Sequence, residues 1–189
     1  MNCGTLTVGL TLDCAAPIRG GIEGKSCYLF NYDDWQEATV TITASTLKIT
    51  AIVLDGTDKM WEVQQPGTGN VTSMVDLSYE VGITRYKHTV NFLLAKGDAD
   101  TALLAQKLAQ GLFVAAYITK DSKIMVLGAG TGLKATAQTI RDFNASASSW
   151  TFQLASEDTS LESLLPYEFI GSVPGDFVTA KSEFLALLV

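Results

Sequence analysis

The stretch Arg19–Ser26, RGGIEGKS, sets glycines beside a Gly-Lys-Ser tripeptide, the ending of a phosphate-binding loop. Such a loop has the form G-x-x-x-x-G-K-[ST], and its backbone N–H groups cradle phosphates at the start of a helix. Counting back from Gly24, the first glycine belongs at position 19. That position is arginine, and Gly20 stands one residue too close. Glu23 adds a carboxylate where anions would have to sit, and like charges repel. The next residues, CYLFNY, have the character of a strand. The stretch is therefore expected to be a glycine turn between two strands.

A second glycine run, VLGAGTGLKA, places Gly128, Gly130 and Gly132 after an apolar strand. The dinucleotide fingerprint is G-x-G-x-x-G, and it opens a doubly wound sheet. Here the third glycine comes one place early, and little chain remains from which to build that sheet. A turn or bulge in an antiparallel sheet is the expected role. No nucleotide or other cofactor is expected.

Nucleophilic catalysis would have to use His88, the one histidine of the chain. It sits in RYKHTVN, within strand alternation, which points to a structural or solvent-facing side chain. The carboxylate pairs Asp33-Asp34 and Glu157-Asp158 are adjacent in sequence. Neighbouring strand positions face opposite ways, so neither makes a good acid/base pair. Cys3, Cys14 and Cys27 are spaced too widely for a zinc site, and DADT (98–101) carries too few oxygen ligands for calcium. The cysteines are expected to be free, buried thiols. No catalytic residue and no metal site is assigned.

The positioning elements are mostly strands. GTLTVGLTLD alternates apolar and polar residues, and CYLFNY, ATVTITA and LKITAIVLD are aromatic or β-branched. DGTD (55–58) has hairpin chemistry, with KMWEVQ returning from it. TRYKHTVNFLLA, the pair LFVAAYIT and KIMVLGAG across KDS, and SWTFQLAS are further strands. VTSMVDLSYEVG is ambiguous. GDADTALLAQKLAQG reads as one helix over 98–111, capped by Asp98 or Asp100, with Leu104 and Leu108 on one face and Gly111 ending it. The expected fold is mainly β (α+β): an antiparallel sandwich or barrel-like body with that one flanking helix. It forms a single domain over 1–189, with a long loop around 64–82 and a C-terminal arm over 172–189.

Hydrophobic residues make up 47% and charged residues 17%, which excludes a disordered chain. The longest apolar runs, LFVAAYI and FLALLV, fall far short of the roughly 20 residues of a membrane span. The opening MNCGTLTVGL lacks the basic and apolar regions of a signal peptide, so a cytoplasmic site of synthesis is expected. Mean hydropathy is +0.21, which suggests apolar surface covered by neighbouring subunits. A net charge of −7 with scattered basic residues argues against gripping nucleic acid. It is compatible with DNA passing without adhering.

The N-terminal third, NCGTLTVGLTLDCAAPIRGGIEGKSCYLFNYDDW, resembles the opening of small virion proteins of phages and prophages of Bacteroidetes-type bacteria. The matching features are Cys3-Gly4, Leu6, Gly9-Leu10, Asp13-Cys14, Gly20-Gly21 and the aromatic run Tyr28–Trp35. VAAYITKDSKIMVLGAGTGLKA is similar to a later segment of the same proteins. The resemblance is to tail-tube proteins. It implies a β-sandwich with a flanking helix, homo-oligomeric (hexameric) rings that stack into a DNA conduit, and other tail or neck proteins as partners. It also implies a virion location after assembly in the host cytoplasm, with no membrane partner. On that resemblance Gln64, Gln65, Pro66, Gly67, Thr68, Gly69 and Asn70 are the candidate ring-stacking loop. FLALLV would be awkward left in solvent, so an arm docked on a neighbour is expected. A tail terminator, a neck or head-decoration protein and a soluble β-rich binding module fit the same features.

Overall fold

The computed structural model describes residues 21–43, 45–65, 71–80, 83–94, 99–136 and 150–188. The first predicted strand, GTLTVGLTLD, lies outside the described residues. The chain runs through β1 (Ile22–Asn31), α1 (Tyr32–Glu37), β2 (Thr39–Thr43), β3 (Lys48–Val53), β4 (Trp61–Gln64), β5 (Thr72–Glu80) and β6 (Ile83–Leu94). It continues through α2 (Ala99–Gln110), β7 (Leu112–Thr119), β8 (Ile124–Leu127), β9 (Leu133–Ala135), β10 (Trp150–Ala155), β11 (Tyr167–Phe169) and α3 (Phe177–Leu185). Among the described residues no helix is long and apolar enough to cross a membrane.

The mainly β character and the helix near 98–111 agree with the sequence. The order of strands is β2-β3-β11-β8-β7-β9-β10-β6-β5, with β1 against β7 and β4 against β1. The sheet is mixed and does not close into a barrel: β3 and β11 run parallel, while the other strand pairings are antiparallel.

The centre of the sheet is the β1–β7 ribbon. β7 meets β1 along one edge. Its other edge is lined first by β8 and then by β9. The sheet therefore divides at the turn between β8 and β9. One leaf continues through β11, β3 and β2, and the other through β10, β6 and β5.

The division leaves the central ribbon covered on both faces. Cys27, Leu29, Phe113, Ala115 and Tyr117 pack with Val90, Phe92, Phe152, Leu154 and Leu108 of the second leaf and α2. Tyr28, Phe30, Val114, Ala116 and Ile118 pack with Ile49, Ile124, Val126, Phe169 and Phe184 of the first leaf and α3. That is why LFVAAYIT is apolar without alternation: Phe113–Ile118 are all buried. A strand buried on both faces reads as a continuous apolar run.

Several expectations change. There are three helices among the described residues, not one. In α2 the buried residues are Ala105 and Leu108, whereas Leu104 faces solvent beside Leu103. Asp100 lies in the first turn of α2, and Asp98 is outside the described residues. The DGTD turn forms, with Asp58 N–H donating to the Asp55 carbonyl, but it makes no β3–β4 hairpin. β3 pairs with β2 and β11, and β4 pairs with β1. The long loop around 64–82 is largely strand, because Thr72–Glu80 pairs with β6 over nine positions.

The C-terminal arm over 172–189 is likewise corrected. α3 packs on its own body, with Ala180 and Phe184 buried. Asp176 caps it by accepting from Val178 N (3.0 Å) and Thr179 N (3.3 Å). Hydrogen bonds from the Thr179 side chain and backbone lower the Asp176 pKa. Beyond the helix, Met60 N–H donates to the Leu187 carbonyl, and Met60 bridges Leu188. The apolar tail is covered because Phe184 enters the aromatic side of the core.

Candidate functional site

The Gly-Lys-Ser tripeptide lies inside β1, not in a turn. The pairing of β1 with β7 is irregular between Ile22 and Cys27, which is where the glycine falls. The Ser26 hydroxyl donates to the Glu62 carboxylate across the β1–β4 pair. A strand carries no helix N-terminus, and this hydroxyl already serves a carboxylate. Arg19 and Gly20 lie outside the described residues.

The second glycine run is the turn at which the sheet divides. Gly128 (φ +74°) and Gly132 (φ +76°) take the left-handed conformation that only glycine adopts without strain. Gly132 N–H closes the turn on the Gly128 carbonyl. The N–H groups between them hold a carboxylate of the chain itself. Gly130 N (3.2 Å), Thr131 N (2.9 Å) and Thr131 Oγ1 (3.0 Å) all donate to Glu162 Oε1. On the carbonyl side, Tyr32 Oη donates to Gly130 O (2.6 Å) and Trp35 Nε1 to Ala129 O (3.1 Å). Glu162 is held by its backbone as well, in a two-way bridge with Tyr86.

His88 completes this cluster. It is 2% exposed, and its Nδ1 accepts from Gly128 N–H at 3.2 Å. Burial holds the imidazole pKa below the ordinary histidine value, against the Glu162 carboxylate and the Leu164 backbone, which favour the proton. Burial, then the Glu162 charge, pushes the phenols of Tyr32 and Tyr167 up.

The nearby Ser156 hydroxyl accepts from the His88 backbone N–H (3.2 Å). It does not receive the imidazole, so serine and histidine are not joined as nucleophile and base. Cys27 is fully buried, and burial pushes its pKa up to about 12, which keeps it a thiol. Cys3 and Cys14 lie outside the described residues. Among the described residues no three His, Cys, Asp or Glu side chains converge as metal ligands.

The predicted stacking residues divide into two groups. Gln64 ends β4, paired with Ser26, and its amide donates to Glu62 Oε2. Gln65 reaches across to β6: its Nε2 donates to Leu93 O (3.0 Å), and its Oε1 accepts from Leu93 N (2.9 Å). The side chain thus reproduces both hydrogen bonds of a strand pair and anchors the chain to the body. Pro66, Gly67, Thr68, Gly69 and Asn70 lie outside the described residues.

Three exposed apolar side chains lie on the paired strands β5 and β6. Met74, Leu77 (68% exposed) and Ile83 face solvent. β5 ends the sheet, and its outer side has no partner among the described residues. Such an edge presents unpaired N–H and C=O groups, which proteins usually blunt with proline, bulges or charge. β5 has no proline and no break in register, and Asp76 is the charge at its middle. The opposite end of the sheet is β2, a five-residue strand with no charged residue and a register shift between Thr41 and Ile42. β5 is hard to see in the sequence because apolar side chains on both faces of a strand break the two-residue alternation. Its available signal was the adjoining run, TRYKHTVNFLLA, of matching length and in need of a neighbour. No protein-family model, no curated protein and no solved structure matches this chain.

Proposed function

We propose that the chain is a virion structural protein, in first place a phage tail-tube subunit whose rings stack into a conduit for DNA. The observation that carries this reading is the edge of β5, unpaired among the described residues and charged at its middle by Asp76 alone, with Met74 and Leu77 in solvent. An open edge of nine residues is a template for another strand. Pairing of β5 with β5 about a twofold axis, in its central registers, brings the two Asp76 carboxylates opposite or diagonal to each other. Like charges so placed are destabilising. The uncharged β2 of a second copy has no such penalty. A β5-to-β2 contact is head-to-tail, and head-to-tail contacts generate rings when the rotation closes. The resemblance of the N-terminal third to tail-tube proteins gives the ring its context, and the net charge of −7 suits a channel that DNA must not wet.

The test is negative-stain microscopy across a concentration series, with light scattering on the same samples. Stacked hollow rings are the expected result, and single rings would favour the tail-terminator role. Leu77→Asp, at an exposed position, is expected to abolish rings while leaving the melting temperature of the subunit within about 2 °C. Deletion of 66–70 is expected to leave rings but prevent stacking. Tubes formed by Leu77→Asp would remove β5 from the contact. A monomer at every concentration, with purified tail components present, would overturn the tube reading.

A further inference from the structure

The His88 cluster is independent of any assembly contact. We propose that His88 is an acid-released catch on the Gly128–Thr131 turn: a proton added at Nδ1 turns its acceptor into a donor and frees the Gly128 N–H. The geometry is specific. Neutral imidazole carries one lone pair, and Nδ1 commits it to Gly128 N at 3.2 Å. Imidazolium has no lone pair to offer, and two N–H groups then confront each other in a site 2% exposed. Nε2, the other ring nitrogen, is buried without a hydrogen bond of ordinary geometry, and the Leu164 backbone acts on the ring by favouring its proton, so neither nitrogen offers a second lone pair to Gly128.

The surroundings set the sign. Glu162 is the charged group that acts on the ring, and it lies on the connection between β10 and β11. Gly128 after β8, Ser156 after β10 and Val75 on β5 bring no charge. Lys87, the neighbour in sequence, is paired with Asp158 at 2.6 Å. Burial outweighs the Glu162 attraction, so the folded pKa lies below the ordinary value of about 6.5. The closed turn is therefore fully stable above about pH 6.5. Stability is lost as pH falls from there through the lower folded pKa, because the unfolded chain binds the proton first.

The turn is where the two leaves of the sheet part, and it grips Glu162, Tyr32 and Trp35. Loss of the catch loosens those contacts together, while the β1–β7 ribbon is untouched.

The test is a pH titration of the full ¹⁵N-labelled chain from about 7.5 to about 4.5 by two-dimensional NMR, a range that brackets the ordinary histidine value. The amides of Gly128, Gly130 and Thr131, the Trp35 indole N–H and the His88 ring are expected to shift with one shared midpoint below about 6.5. In His88→Gln the amide oxygen still accepts from Gly128 but does not titrate, so the Gly128 amide is expected to stay fixed over this range. If the ring titrates while the turn amides stay still, the catch is refuted. It is refuted equally if His88→Gln keeps the transition at its original midpoint. Should His88→Gln fail to fold, the wild-type titration decides alone.

Discussion

Phe184→Ala is expected to lower the unfolding free energy by about 4 kcal/mol, the usual cost of removing a buried phenylalanine. In a chain of this size that corresponds to a fall of roughly 10 °C in melting temperature. Phe184 is fully buried and meets three rings: Tyr28 at 5.3 Å, Phe169 at 5.6 Å and Phe30 at 6.3 Å between centroids. Those rings come from β1 and β11, so one side chain ties the last helix to both the central ribbon and the first leaf. Val178 lies on the same helix and is 76% exposed. Val178→Ala is expected to change stability by less than about 0.5 kcal/mol. Urea unfolding of the two variants separates docking from helix propensity. Equal, small effects would mean that α3 is not packed on its own body, and the expectation of an arm reaching a neighbour would stand again.

Glu162→Ala is expected to cost about 3 kcal/mol. Three donors on Gly130 and Thr131 lose their acceptor at once in a partly buried place, and hydrogen bonds to a charged group are the stronger kind. Glu162→Gln keeps an acceptor oxygen and is expected to cost about half as much. A second substitution makes the assignment sharper. A Cβ at position 130 would come within 2.5 Å of Glu162 Oε2, so Gly130→Ala must displace the carboxylate. Once the carboxylate is gone, the added methyl has nothing to strike. Gly130→Ala should therefore be costly in the wild-type chain and nearly neutral beside Glu162→Ala. Denaturant curves of both singles and the double complete the cycle. Additive costs would show that the turn and the carboxylate do not act as a unit.

What could be read in the residues and what could not divides along the range of the interaction. LFVAAYIT and KIMVLGAG are joined by a short turn, so their pairing was legible as β7 and β8. The helix near 98–111 rests on equally local rules. DGTD was legible as a turn, and Gly56 does take φ +52° there. Its partner was not, because whether β4 returns to β3 depends on β1, which competes for the same edge. α1 has six residues, too few to show a period. α3 did offer a signal: Asp176 precedes Phe177, Ala180 and Phe184, spaced as one helical face. FLALLV distracted from it, since an apolar tail invites a partner outside the chain. The glycine turn was legible as a turn. Its carboxylate was not, since no local pattern points from Gly130 and Thr131 to Glu162, across the whole of β10.

The parallel pairing of β3 with β11 has a consequence for the order in which the molecule is made. The β2–β3 hairpin is translated early, but the strand that fastens it to the sheet spans only Tyr167–Phe169. Until that strand leaves the ribosome, Ile49 and Ile52 have no leaf to belong to, and one edge of β3 stands open. Other nascent chains of the same protein, each with an identical open edge, would be its nearest neighbours on a polysome. Slowing translation after β10 lengthens that interval. The yield of folded subunit should then depend on the speed of synthesis across residues 156–169 as much as on the stability of the finished fold.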